Sequence, residues 1–111
     1  MPNITVPNTQ EKQLLLELGM ETKDYGVMHR ANKMFGLLCY ATRDYIWIKT
    51  ASEKPTGDTR RKPDELEKQI MQENGIPHIY FDVTFRSSDV IQLCFCDTET
   101  YVEIWKGDRK W

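Results

Sequence analysis

The chain has 111 residues, 40% of them hydrophobic, 11% aromatic and 29% charged, which is the profile of one globular domain and leaves no room for a second core. Its 15 basic and 17 acidic residues give a formal net charge of −2, which argues against a polyanion binder that works by phosphate neutralisation and against an acidic mimic of nucleic acid. The three cysteines, Cys39, Cys94 and Cys96, do not make a disulfide framework, and Met1–Thr5 carries neither a charged n-region nor an apolar h-region. No apolar run reaches the roughly 20 residues that span a bilayer, so a cytoplasmic protein away from membranes is expected.

The first element follows Pro7. Asn8 and Glu11 have the spacing of a capping box, and Leu14, Leu15, Leu18 and Met20 then step at helical spacing up to a stop near Gly19, predicting a helix over 8–20. A second helix over 24–42 is expected from the stripe Met28, Ala31, Phe35, Leu38 and Thr42, with His29, Arg30, Asn32 and Lys33 on its wetter side. The competing reading breaks this helix at Gly36 and makes 37–41 a strand.

Residues 45–50, rich in β-branched and aromatic side chains, predict the first strand. The turn formers of 51–62 make the longest loop. A third helix over 63–74 is marked by Pro63 at its first position, by Asp64 and Glu65 against the helix dipole, and by Asn74-Gly75 at its end; Leu66, Ile70 and Glu73 are read as its inward stripe. A meander of strands over 78–86, 90–96 and 101–106 follows. In the first of these Ile79, Phe81, Val83 and Phe85 share one face and Tyr80, Asp82, Thr84 and Arg86 the other. The strand over 90–96 is apolar on both faces and is placed inside the sheet. The fold expected is α+β: an antiparallel sheet of about four strands with three helices mainly on one face, in a single domain over 1–111 with no internal repeat.

No catalytic signature emerges. Cys94, Cys96 and His78 offer thiolate and imidazole donors, but C-x-C spacing falls short of a four-ligand zinc site, and buried free cysteines are common in cores. Neither His29 nor His78 is tied to Cys39 as a base to a nucleophile. Asp82 and Glu103, with Arg86 or Lys106 as the cation, suggest a magnesium-dependent nuclease, yet Glu103-Ile104-Trp105-Lys106 is one residue longer than the Glu-x-Lys such sites use. Glycine-rich phosphate loops are absent, and no cofactor is expected. Arg60, Arg61 and Lys62 form the one local concentration of positive charge, which supports nucleotide or nucleic-acid binding with Tyr80 or Trp105 stacking on a base.

The preferred reading is a small non-enzymatic interaction module, an inhibitor or a counter-defence or immunity-type protein that occludes another protein, or a homodimer. It rests on aromatics placed off the core face. Tyr80, Arg86, Tyr101, Glu103 and Trp105 are the candidate contact residues, and the last strand, 101–106, is read as an exposed edge open to pairing with a second chain.

Overall fold

The computed structural model describes residues 4–50, 60–95 and 100–107, so most of the predicted 51–62 loop, Cys96, the turn at 97–99 and the tail beyond 107 lie outside the described residues. Two α-helices and six strands follow one another as α1 (Thr9–Glu17), β1 (Tyr25–Ala31), β2 (Met34–Cys39), β3 (Tyr45–Lys49), α2 (Glu65–Glu73), β4 (Phe81–Arg86), β5 (Val90–Phe95) and β6 (Tyr101–Trp105). Single 3-10 turns, Thr22–Asp24 and His78–Tyr80, precede β1 and β4. The strands form one antiparallel sheet in the order β1-β2-β3-β6-β5-β4.

The sheet therefore has six strands where four are expected, and two helices serve where three are expected. The difference lies in 24–42, which is a hairpin and not a helix: β1 and β2 meet across the two-residue turn Asn32-Lys33, with Lys33 at φ 64°. The last strand, expected at an edge, is central, because β6 lies between β3 and β5. β1 and β4 are the edges, and each is partly blunted by a bridge from the segment leading into its own helix, Thr5 to Val27 and Arg61 to Val83.

The second half of the chain repeats the first. Every element after residue 60 begins 56 positions after its counterpart, from α2 against α1 to β6 against β3, and each also ends 56 positions later except β4, which stops one residue short. The correspondence extends to the edge bridges (Thr5–Val27, Arg61–Val83) and to a β-bulge in the first strand of each half, between Val27 and His29 and between Val83 and Phe85. It is also written in the sequence. Aligned without a gap, 4–50 and 60–106 are identical at 12 of 47 positions, and both carry Pro-x-x-x-Glu-Lys-Gln-x-x-x-Glu-x-Gly, starting at Pro7 and Pro63. The expectation of no internal repeat is corrected accordingly. The two α-β-β-β units meet at the β3–β6 seam, on which the pseudo-twofold axis falls.

Both helices start with an Asx-x-x-Glu capping box. Asn8 Oδ1 accepts from the Glu11 amide at 2.9 Å and Asp64 Oδ1 from the Glu67 amide at 2.8 Å, while each glutamate returns a bond to the cap amide at 2.9 Å. Asp64 is thus the N-cap of α2, and Pro63 precedes the cap instead of opening the helix. Gly19 (φ 79°) and Gly75 (φ 73°) take the left-handed conformation just beyond the helix ends, where a side chain would be strained.

Leu15, Leu18, Ile70 and Met71 from the helices pack on Tyr25, Val27, Phe35, Leu37, Ile46, Ile48, Phe81, Val83, Ile91, Leu93, Val102 and Ile104 from all six strands, which together form one core on one face of the sheet. Leu66 points to solvent; Glu67 takes the inward place expected of it.

Each bulge inserts one residue, Met28 or Thr84, and so reverses the alternation beyond it. This corrects the expected face of 78–86: Phe85 pairs with Gln92 on the outer face, and Arg86 pairs with Ile91 on the helix side. In the first half His29 and Arg30 divide in the same way. The bulge is what lets a strand arginine reach a helix glutamate. Arg30 holds Glu11 through Nε (2.8 Å) and Nη2 (2.9 Å). In the second half Arg61, from the edge bridge, makes the two-pronged contact with Glu67 (2.6 and 2.7 Å), and Arg86 stands at 3.5 Å. Glu67 is wholly buried; burial pushes its pKa up, but the Arg61 hydrogen bonds, the Asp64 amide and the two guanidinium charges outweigh that and hold it below the ordinary carboxylate value.

Candidate functional site

Because both helices cover one face, the opposite face of the sheet carries no helix among the described residues. The shortest dimension of the molecule, 22 Å, matches a sheet with a single helix layer, each about 10 Å thick. Alternation assigns Tyr45, Trp47 and Lys49 of β3 and Tyr101, Glu103 and Trp105 of β6 to this outer face, since Ile46, Ile48, Val102 and Ile104 are in the core. One continuous row crosses the sheet through paired residues: His29, Gly36, Trp47, Glu103, Gln92 and Phe85.

The middle of that row is tightly organised. Trp47 lies over Gly36, where an added Cβ would fall 2.9 Å from its Cζ3, so glycine is needed for the close approach. The His29 ring tilts against Trp47 at a centroid distance of 5.5 Å. Glu103 accepts from Gln92 Nε2 (2.8 Å) and Lys49 Nζ (3.1 Å) at Oε2 and from Trp105 Nε1 (3.1 Å) at Oε1. Burial raises its pKa, but these three donors and the Lys49 charge bring it below the ordinary value, so the carboxylate is ionised at neutral pH. Beside it Met34, Trp47, Lys49, Glu103 and Trp105 line an open depression of about 390 Å³. Trp105 is 42% exposed and Phe85 54%, and Tyr45 and Tyr40 are also open to solvent.

Of the residues expected to contact a partner, Tyr101, Glu103 and Trp105 share this face, with Tyr101 and Glu103 buried and Trp105 exposed. Arg86 lies on the helix side, and Tyr80 belongs to the 3-10 turn before β4, its ring 6.2 Å from Phe95. The residues missed are Met34, Tyr45, Trp47 and Lys49; the signal was the alternation of Tyr45, Trp47 and Lys49 with Ile46 and Ile48.

In the basic segment Arg61 is committed to Glu67, and Lys62 makes a loose pair with Asp82 at 3.4 Å. Arg60 is exposed ahead of the edge bridge. Asp82 and Glu103 share the outer face but are separated by β5 and by two residues of register, a Cα separation of roughly 12 Å from strand spacing and rise. Cys39 and Cys94 are buried, and no three acidic, histidine or cysteine side chains come together to hold a metal among the described residues.

A second polar cluster joins the two halves at the end of α2. Asn74 donates to Asp44 Oδ2 (3.0 Å) and accepts from Thr42 (2.6 Å), Asp44 Oδ1 accepts from the Gly107 amide (3.0 Å), and the buried Tyr25 hydroxyl donates to the Asn74 carbonyl. Every participant has a structural duty there. No helix among the described residues is long and apolar enough to cross a membrane. The fold is a two-layer α+β protein made of a duplicated α-β-β-β unit; no family model, curated protein or solved structure matches the chain.

Proposed function

We propose that the protein is a small interaction module that binds another protein through the outer face of its sheet, with Trp105, Trp47 and Tyr45 as anchors. The observation that carries this reading is that the sheet face on which no helix packs among the described residues holds two tryptophans and a tyrosine around an ordered charged centre. Partly exposed tryptophan and tyrosine are the residues that supply most binding energy when a partner excludes water from them.

The internal repeat supports the same surface. At most core positions the halves keep apolar character, as in Val27/Val83, Leu37/Leu93 and Ile48/Ile104, with Leu18/Asn74 as an exception, and exposed helix positions include the identical pairs Gln13/Gln69 and Glu17/Glu73. On the outer face only Tyr45/Tyr101 is identical among the strand pairs, and Trp47/Glu103, Lys49/Trp105, Gly36/Gln92 and His29/Phe85 have changed chemical type. The outer face has thus diverged further between the two halves than the exposed helix positions have, which is expected of a surface with a specific task.

The test is native mass spectrometry of protein purified gently from its own host, followed by the same purification of Trp105→Asp and of Leu16→Asp on the exposed side of α1. A co-purifying protein, or a second copy of the chain, lost with Trp105→Asp and kept with Leu16→Asp is expected. Retention with Trp105→Asp and loss with Leu16→Asp overturns the assignment of the face. A bound nucleotide without protein moves the site to the Arg60–Lys62 segment.

A further inference from the structure

We propose that the depression between Trp47 and Trp105, at the pseudo-twofold axis, receives a basic side chain of the docked protein; the inference rests on the outer face being the docking surface. The chemistry is local. Trp47 and Trp105 are diagonal neighbours across the β3–β6 pair, since Trp105 faces Tyr45 and Trp47 faces Glu103. Indole faces are the best aromatic surfaces for a cation, and the Glu103 carboxylate in the same lining adds charge attraction and a hydrogen-bond acceptor. Glu103 Oε1 accepts one bond, from Trp105, and a carboxylate oxygen has capacity for a second.

The protein already supplies an internal example of the ligand. The Lys49 ammonium sits 3.1 Å from Glu103 in the same depression, on a side chain 37% exposed and free to swing outward on its four-carbon stem. An incoming guanidinium or ammonium exchanges with it, so the site keeps one cation per carboxylate and the free protein does not leave Glu103 unpaired. The repeat shows how the pocket arose: positions 47 and 103 face each other across the axis as Trp and Glu, and positions 49 and 105, related by it, are Lys and Trp. An arrangement that would otherwise be symmetric thereby gains one carboxylate, two indoles and one lysine among its lining side chains.

The experiment follows the indole N–H resonances of Trp47 and Trp105 in the full chain, assigned by single Trp→Phe variants, during titration with N-acetyl-arginine amide, N-acetyl-lysine amide and the neutral N-acetyl-citrulline amide. Saturable shifts with either basic probe and none with citrulline are expected. Lys49→Met, which removes the competing ammonium, should tighten that binding roughly threefold, the factor an exposed ion pair commonly carries, and Glu103→Gln should abolish it. Equal shifts with citrulline, or no saturable shift in both the wild type and Lys49→Met, overturn the proposal. Either of those results leaves the docking reading standing, because that reading is tested separately, by whether Trp105→Asp loses the partner.

Discussion

Position 61 permits a test of the duplicated architecture by substitution. Its counterpart is Thr5, whose hydroxyl accepts from Arg30 Nη1 at 2.9 Å while Arg30 holds Glu11 with its other nitrogens. Arg61→Thr therefore recreates in the second half the arrangement of the first, and Arg86 is expected to advance from 3.5 Å into a two-pronged contact with Glu67. Arg61→Leu removes the same two bonds and gives Arg86 no hydroxyl to lean on. Removing one partner of a buried ion pair costs about 3–5 kcal/mol. Arg61 is 49% exposed and Arg86 stays within reach, so the cost is discounted to about 2 kcal/mol for Arg61→Leu and about 1 kcal/mol or less for Arg61→Thr. In urea at pH 7, with a slope of about 1–1.5 kcal/mol per molar, the midpoint should fall by about 1.5 M in the first case and by less than half of that in the second.

Combining Arg61→Thr with Arg86→Leu leaves a charged carboxylate fully buried without a cation, a loss of about 3–5 kcal/mol. Burial then lifts the folded pKa of Glu67, and the penalty shrinks as pH falls through that raised value. The double variant should consequently recover stability relative to wild type between pH 7 and 5. An Arg61→Thr variant as unstable as Arg61→Leu would refute the equivalence of the two halves.

Three further outcomes are expected. Glu11, Glu67 and Glu103 are all held below the ordinary carboxylate value of 4.5, so their contribution is complete above that pH and is lost as pH falls through their lower folded values; thermal unfolding between pH 6 and 3 should show this, and Glu67→Gln should flatten it. Gly36→Val drives a side chain into the Trp47 ring and should cost about 1–3 kcal/mol with a change in tryptophan emission, whereas Ala31→Val, at an exposed strand position, should change neither. Asn74→Leu, which installs the residue found at the equivalent Leu18, should cost about 2 kcal/mol in chemical denaturation because it takes donors from the buried Asp44 and the α2 end, and Asp44→Asn in the same chain should recover part of it.

Much of the framework was legible in the sequence. The α1 capping box, the Pro63–Glu65 start and Asn74-Gly75 stop of α2, and the alternation of the later strands located both helices and the β4–β6 meander to within a few residues. The β1–β2 hairpin was not legible because β2 is buried on both faces, with Phe35 and Leu37 in the core and Leu38 buried on the other side, so its strand period is hidden. The Asn32-Lys33 turn carries no glycine to mark it, and Met28, Ala31, Phe35 and Leu38 step by threes and fours across it by coincidence. The bulge at Thr84 was equally silent, since one extra residue reverses a face without altering composition. The repeat was present as identity at 12 of 47 gapless positions but spread over two long units, and the core preserves apolar character more than identity. Read at a spacing of 56, it would have assigned 25–39 as strands by analogy with 81–95. Of the candidate site, the placement of Glu103 and Trp105 together on one face of the last strand was legible in its alternation, while their neighbours Trp47 and Lys49 depend on the β3–β6 pairing, a contact between strands more than 50 residues apart.

The most direct test of the outer face as the docking surface is backbone hydrogen exchange of the protein alone and with its co-purified partner. Slowed exchange confined to β3 and β6 and the adjoining parts of β2 and β5, with α1 and α2 unchanged, is the predicted result. Protection concentrated on the two helices, with the β3–β6 seam unaffected, would contradict it.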